Sequence, residues 1–452
     1  MAGKTSIVIV GGGCSGTLVA AQLLRKGYRG RLVIIEPRRE LGRGLAYSTR
    51  SDHHLLNVPA GKMSAFPEHP SHFLDWLRIQ GCLAAEPGMF APRRMYGEYL
   101  ADVLQHELNC SPSGADFSQI CGEAVSIRTD RDVAHVLVSN GDCVEADRVV
   151  LAVGNPASSP DFNVEMTGTA ELFHPSPWVK DALSLRFPSE RFLLLGTGLT
   201  AVDSLLSLLS QGENSVVHMV SRRGFLPHAH TTCLPPPEFA PLRGTGSVTS
   251  TLREFRARVE AMKRMGFCWR VAIDALRPIS NQIWHGLPLA DQQMFLRHLK
   301  PYWELHRHRV APVIAEQTKR YLVEGRLCLN AGRVRKLIRT GDSIQVHISR
   351  REAGELQLEV DRVINCTGIQ EDYSDCPRPL ARQLIADGTA SANDLGIGFR
   401  TDGSGALVNS ERKTSKLLFT LGPPRRGQLF ETTAVPEIRT QAEALARHLI
   451  ES

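Results

Sequence analysis

The chain has 452 residues, too many for one ordinary core, so two or three domains are expected. Apolar residues make up 42% and charged residues 22%, a globular balance, and no apolar run reaches the ~18 to 20 residues of a membrane span. A net charge of +6 is too small and too dispersed to suggest nucleic acid, and it suits phosphorylated cofactors or small acids. The ten cysteines include no C-x-x-C pair, which argues against zinc or any other metal site, a disulfide framework and a dithiol centre. No secretory signal precedes the first apolar run, so a cytoplasmic protein with inert thiols is expected.

Thr5 to Gly16 joins a short β-branched run to a glycine turn and a helix. Gly11, Gly13 and Gly16 fill the G-x-G-x-x-G pattern of a dinucleotide-binding β-turn-α unit. The first glycine permits the tight turn, the second lets backbone approach a pyrophosphate, and the third lets the helix pack on the strand. Cys14 and Ser15 then lie at the helix N-terminus, whose N–H groups face the phosphates. A second strand, Leu32 to Ile35, ends in Glu36, placed to accept hydrogen bonds from a ribose diol.

Helical periodicity is expected over 72–80 and 96–108, then a period of two from Val125, a turn at Asn140-Gly141, and a strand over 144–153 running into Gly154. The ending Asp147-Arg-Val-Val-Leu-Ala-Val-Gly154 returns as Asp361-Arg-Val-Ile-Asn-Cys-Thr-Gly368, which points to internal duplication. Residues 156–188, rich in Pro and Ser, read as a connector. Gly196, Gly198 and Ala201 then open a second Rossmann unit as G-x-G-x-x-A. Its second strand ends in Ser221-Arg222-Arg223 where the first has an acid. A hydroxyl and guanidinium groups suit the 2′-phosphate of NADPH, although an exposed arginine pair is also ordinary loop chemistry.

From about 226 to 325 the period is helical, too long for a connection inside a Rossmann unit, so an insertion is expected. It carries His306-Arg-His-Arg309, which reads as a solvated face or as a site for an anionic substrate. The final strand, Leu417 to Leu421, ends at Gly422 and leads through Thr433 and Ala434 into a helix beginning near Val435 and Pro436.

Asn57, Pro59, Met63, Phe66, Pro67 and Glu68 resemble the active-site segment of the flavin-containing monooxygenases. That resemblance implies that the Asn57 side chain lies beside the flavin and the nicotinamide ribose. His174 and Trp178 match the His-x-x-x-Trp half of the linker motif of class B flavoprotein monooxygenases, whereas Gly168 and Ala170 depart from its other half. Gly-Leu-Ala-Tyr47, Leu-Leu-Asn-Val-Pro59 and Glu-Thr-Thr-Ala-Val-Pro-Glu437 resemble the broad family of bacterial FAD/NAD(P)-binding proteins. In related flavoproteins the last strand, glycine and helix N-terminus serve the pyrimidine end of the flavin, here Gly422, Thr433, Ala434 and Val435.

The expected fold is α/β with two Rossmann-type domains. A discontinuous FAD domain (1–160 and 355–452) would enclose a linker (161–190) and an NADPH domain (191–354) with its helical insertion. The expected function is an FAD- and NADPH-dependent monooxygenase that uses molecular oxygen, through a peroxyflavin, on an amine or thioether of a small substrate, with no nucleic-acid or membrane partner. The alternatives are an NADPH-dependent reductase or dehydrogenase without oxygenation, and a flavin-based redox sensor. Nothing in the sequence fixes the oligomeric state.

Overall fold

In the computed structural model, residues 5–110, 114–155, 165–233, 246–350, 353–368, 373 and 378–452 are described. Ser6–Val10 (β1), Cys14–Arg25 (α1) and Arg31–Glu36 (β2) form the first β-α-β unit. Ile7, Val8 and Ile9 are fully buried because both faces of this parallel strand are covered. After His72–Ile79 (α2) and Arg93–Cys110 (α3), Asp116–Cys121 (β3) adds to the sheet edge beside β2. Ala124–Asp130 (β4), Val133–Val138 (β5) and Cys143–Ala146 (β6) form an antiparallel meander with Asn140-Gly141 at its second turn.

The strand expected over 144–153 divides at Asp147. Beyond that residue the chain leaves the meander and Arg148–Leu151 (β7) joins β1 in parallel. Asp147 fixes the break, its carboxylate accepting from the Ser6 N–H at 2.6 Å and hydroxyl at 3.0 Å.

The expected linker starts outside the described residues, but its remainder is more than a connector. Glu165–Thr167 (β8) and Phe173–His174 (β9) pair with strands of the second half. That half opens with Arg191–Leu195 (β10), Leu199–Leu209 (α4) and Val216–Ser221 (β11). Among the described residues six α-helices follow: Val248–Arg264 (α5), Trp269–Leu276 (α6), Ser280–Gly286 (α7), Leu289–Met294 (α8), Lys300–Arg307 (α9) and Pro312–Val323 (α10). A π-helical turn at Phe295–Leu299 separates α8 from α9. The chain then enters Leu327–Ala331 (β12), the meander Arg333–Thr340 (β13), Ser343–Arg350 (β14) and Gly354–Val360 (β15), and Arg362–Asn365 (β16).

The expected domain boundary at 355 is corrected here. β15 pairs with β14 and β16 lies beside β10 with Leu194 opposite Ile364, so both strands belong to the second half. The Asp361 strand closes its own unit as the Asp147 strand closes the first. Return to the first half comes with Pro379–Ala386 (α11), where Gln383 exchanges hydrogen bonds with the backbone of Ile127. Ala406–Val408 (β17), Thr414–Thr420 (β18) and Val435–Glu451 (α12) complete it.

The first sheet therefore runs β17-β18-β7-β1-β2-β3 and the second β12-β11-β10-β16-β9. On the first sheet, α1, α3 and α12 cover one face and the β4–β6 meander with α11 covers the other. The second sheet is likewise sandwiched between α4 and α10 on one side and the β13–β15 meander on the other. Among the described residues, no helix is long and apolar enough to cross a membrane.

Candidate functional site

In the first unit, Gly11 turns the chain with φ +104°, and a Cβ there would lie 2.5 Å from the Ala152 carbonyl oxygen. A Cβ on Gly16 would approach the Gly11 oxygen to 1.9 Å, so only glycine lets α1 close on β1 at this point. Glu36 ends β2 directly over the turn, its carboxylate accepting from the Gly12 N–H at 2.8 Å. Gly44 forms the facing wall, since a Cβ on Gly13 would meet its Cα at 3.2 Å. Burial raises the Cys14 thiol to about 12, so the residue at the helix N-terminus is inert. Gly154 follows β7 with φ +63° and open space where a side chain would stand.

The second unit repeats these contacts. Gly196 has φ +113°, and a Cβ there would lie 2.5 Å from the Cys366 carbonyl oxygen. Gly198 faces open space, Ala201 is fully buried, and Gly368 follows β16 with φ +110°. The end of β11 differs, because the Ser221 hydroxyl accepts from Thr197 Oγ1 at 2.9 Å and the Gly224 N–H at 3.0 Å. Arg222 is exposed, whereas the Arg223 guanidinium lies 5.0 Å over the Tyr302 ring of the insertion.

The C-terminal segment brings a second helix N-terminus to the first unit. Gly422 has φ +71° and its N–H donates to Gln441 Oε1 at 3.0 Å, while Thr432 Oγ1 donates to the Gly422 carbonyl at 2.9 Å. These bonds hold Thr433, Ala434 and Val435 at the start of α12. A Cβ on Gly422 would stand 3.1 Å from Ser15 Oγ, so the N-termini of α1 and α12 converge. Their oriented N–H groups favour negative charge between them.

The insertion clamps this same segment. Arg277 holds Glu437 through two bonds of 2.8 and 3.0 Å, and Arg307 holds Glu431 through two of 3.1 Å. Trp284 stacks on Phe430 at 5.0 Å and donates to the Gly427 carbonyl at 2.9 Å. The run 306–309 is therefore not a solvated face: Arg307 and Arg309 are both engaged, the latter with Asp274 at 2.9 Å. Between the insertion and the segment lies a small open cleft of about 50 Å³, lined by Lys300, Trp303, Glu304, His308, Arg426, Phe430 and Glu431. Burial, with Arg307, Arg426, Arg277 and Lys300 around it, pushes the His308 pKa down to about 3, so the imidazole is neutral in a positive field.

Asn57 is half-buried at the seam of the two halves, and its carbonyl accepts from His230 Nε2 at 3.0 Å. Burial lowers the His230 pKa, which keeps that ring neutral. Trp178 reaches the same seam, set edge-on to His54 at 6.2 Å. His54 in turn bonds Ser207 Oγ at 2.7 Å, and Arg93 pairs with the buried Asp203 of α4 at 2.8 Å. His174 lies apart from this cluster, in edge strand β9 opposite Ile364, its Nε2 buried without a partner. Burial and Arg362 lower its pKa. His230, His54, Arg93 and Asp203 escaped sequence reasoning because no local spacing marks them.

Residues 8–156 match the FAD-NAD(P)-binding family. No curated protein matches the chain in sequence. The ornithine N-hydroxylase of Kutzneria sp. 744, whose structure holds reduced FAD, NADP+ and L-ornithine, superimposes with a TM-score of 0.66 at 17% identity over 99% of each chain. L-lysine 6-monooxygenase of Pseudomonas syringae gives 0.67 at 16%, again over 99% of each chain. The fold is that of the two-dinucleotide-domain flavoproteins. The thioredoxin reductase of Lactococcus lactis shares it at a TM-score of 0.55 and 12% identity, over 99% of this chain and 98% of its own. This flavoprotein fold places the FAD-NAD(P)-binding match on the first unit and repeats its frame in the second.

Proposed function

We propose that the protein is an FAD- and NADPH-dependent monooxygenase that oxygenates an amine or thioether of a small anionic substrate. The observation that carries the reading is the roof that the insertion builds over the start of α12, through the Arg277–Glu437 and Arg307–Glu431 pairs. An oxygenating flavin must be kept from water, which would divert the reaction to peroxide. The N-hydroxylases named above are flavoproteins of the same fold, and their TM-scores exceed that of the disulfide reductase.

The first unit fits FAD: the glycine turn leaves room for a pyrophosphate, Glu36 stands over it for the ribose, and two helix N-termini converge for the anionic end. The second fits NADPH, with Ser221 and Arg222 at the end of β11. FAD when bound supplies hydride acceptance and oxygen activation. The cleft between the insertion and the segment presents Lys300, paired with Glu304 at 3.9 Å, and Arg426 beside Trp303 and Phe430, a mixed polar and aromatic lining for one end of a small substrate. Asn57 is positioned by His230 through its carbonyl, leaving its side-chain amide to donate toward the reacting oxygen or the nicotinamide ribose. Trp178 acts at the seam by packing the two halves at His54, whereas His174, in edge strand β9, is given no part in the reaction.

The reaction consumes one NADPH, one oxygen and one proton per oxygenated product, with water as the second product. Labelled oxygen gas tests this directly: incorporation of one atom into a small amine or thioether, in step with NADPH oxidation, is the expected result. Full recovery of the electrons as peroxide with every such compound overturns it in favour of the reductase.

A further inference from the structure

Cys233 and Cys268, 35 residues apart in the sequence, come together within the insertion. Cys268 immediately precedes the first turn of α6, and both cysteines pack against the small apolar cluster of Met262, Val271 and Ala272. The two thiols lie near enough to influence each other's ionisation, and the Cys233 thiol donates to the Thr231 carbonyl at 3.6 Å. Arg270 Nη1 lies 3.4 Å from Cys268 Sγ, and Arg270 Nε donates to the Ala229 carbonyl at 3.0 Å. The guanidinium is thus pinned between the two cysteine-bearing segments, where it stabilises a thiolate.

Other cysteines offer a contrast. Burial raises the thiols of Cys14 and Cys366 to about 12, and neither faces a cation in hydrogen-bonding contact. Cys233 and Cys268 are only half-buried, so a small oxidant reaches them. Arg270 and the neighbouring thiol lower the Cys268 pKa against the opposing effect of burial.

We propose that Cys233 and Cys268 are a peroxide-reactive dithiol that closes to a disulfide, Cys268 being the attacking sulfur and Cys233 the resolving one. The Cys268 thiol gives up its proton and its sulfur attacks one oxygen of a peroxide. The O–O bond breaks, leaving a sulfenic acid on Cys268 and a hydroxide or alkoxide that takes up the proton. Cys233 sulfur then attacks Cys268 sulfur, the S–O bond breaks, and water leaves with the Cys233 proton. Two electrons pass from the thiols to the peroxide. Closure ties α6 to the 228–233 segment, whose His230 bonds the Asn57 carbonyl, so the linkage reaches the seam between the halves.

The test uses reduced holoenzyme and one equivalent of hydrogen peroxide. Peptide mapping without reductant should recover Cys233 linked to Cys268, with two thiols lost and both restored by dithiothreitol. Cys233→Ser should stop at a Cys268 sulfenic acid that dimedone traps. Arg270→Met should slow alkylation of Cys268 by iodoacetamide several-fold and leave that of the exposed Cys110, Cys121 and Cys143 unchanged. Oxidation of those exposed cysteines ahead of the pair, or a Cys233→Ser protein that yields no trappable Cys268 adduct, overturns the proposal. Added peroxide makes the outcome independent of whether the protein oxygenates a substrate.

Discussion

The two dinucleotide units share one hydrogen-bond skeleton and differ in chemistry where their second strands end. Gly11 N–H donates to the Ile35 carbonyl at 2.9 Å and Gly196 N–H to the Val220 carbonyl at 2.7 Å. Asp147 takes the Ser6 N–H at 2.6 Å and Asp361 takes the Arg191 N–H at 2.6 Å. Each first glycine packs on the carbonyl that ends the closing strand, and each closing strand follows an antiparallel meander. Where they part is the end of β2 and β11: Glu36 bonds the turn N–H in one, and Ser221 bonds Thr197 in the other. Backbone and glycine fix the frame, and on the proposed function the residue that ends the second strand selects the nucleotide.

The largest expected effects break the two units separately. Gly198→Val should fold, since a Cβ there meets nothing within 4 Å, and should abolish reduction by NADPH while the protein keeps its full flavin content. Gly13→Val should do the opposite and give colourless protein, its branched side chain filling the pyrophosphate space beside Gly44. Visible absorbance per mole of protein, measured on both variants, checks the assignment. Flavin lost from the Gly198 variant and kept in the Gly13 variant would reverse it.

Next in size is the strand-end difference itself. A charge-assisted contact is worth roughly 1.5 to 3 kcal/mol, so Arg222→Ala should weaken NADPH by about 10- to 100-fold and leave NADH nearly unchanged. Arg223→Ala should have the smaller effect, because that guanidinium is already held over Tyr302. Steady-state kinetics with both nucleotides decide it, equal losses for NADPH and NADH marking a structural role for the arginines.

Much of this frame is legible in sequence because it is local. Glycine turns and apolar runs are written within a few residues, so pattern and structure agree there, and Asp147 and Asp361 show as a repeated ending although their partners Ser6 and Arg191 lie far off in the chain. The boundary set at 355 misses because strand pairing, not composition, assigns β15 and β16 to the second sheet. The insertion's clamps are equally hidden: Glu431 and Glu437 stand in a conspicuous local motif, yet their partners Arg307 and Arg277 lie far away in the chain. The same holds for Cys233 with Cys268 and for His230 with Asn57, which only tertiary packing joins.

Asn57 tests whether the seam between the units protects oxygen chemistry. Asn57→Ala removes the amide and leaves the carbonyl that His230 holds. Reduction by NADPH should stay within about two-fold of wild type, being set by how the nicotinamide is held, while most of the oxygen consumed is released as peroxide. Asn57→Asp should be no better, since a carboxylate accepts where the amide donates. Parallel assays of NADPH oxidation, oxygen uptake and peroxide yield separate this from a purely structural residue, whose loss would lower flavin content without changing the peroxide fraction.

The smallest effect concerns the insertion, which only the second unit carries. His308 lines its pocket with a pKa near 3 against an ordinary 6.5, because burial and the surrounding cations disfavour the imidazolium. Between those values the unfolded chain binds a proton that the folded chain refuses, so this residue's contribution to stability is present above about 6.5 and lost as pH falls toward 3. His308→Gln removes the titration and keeps a polar side chain in the pocket. Melting temperature should therefore fall less steeply between about pH 7 and pH 5 in the variant than in the wild type, with the two curves closest in slope above pH 7. The Arg307–Glu431 clamp adjoins this residue, so loss of the pocket at low pH should also raise KM for an anionic substrate before it lowers flavin content. Identical slopes for both proteins would mean that the imidazole charges freely and that the field around it is screened by solvent.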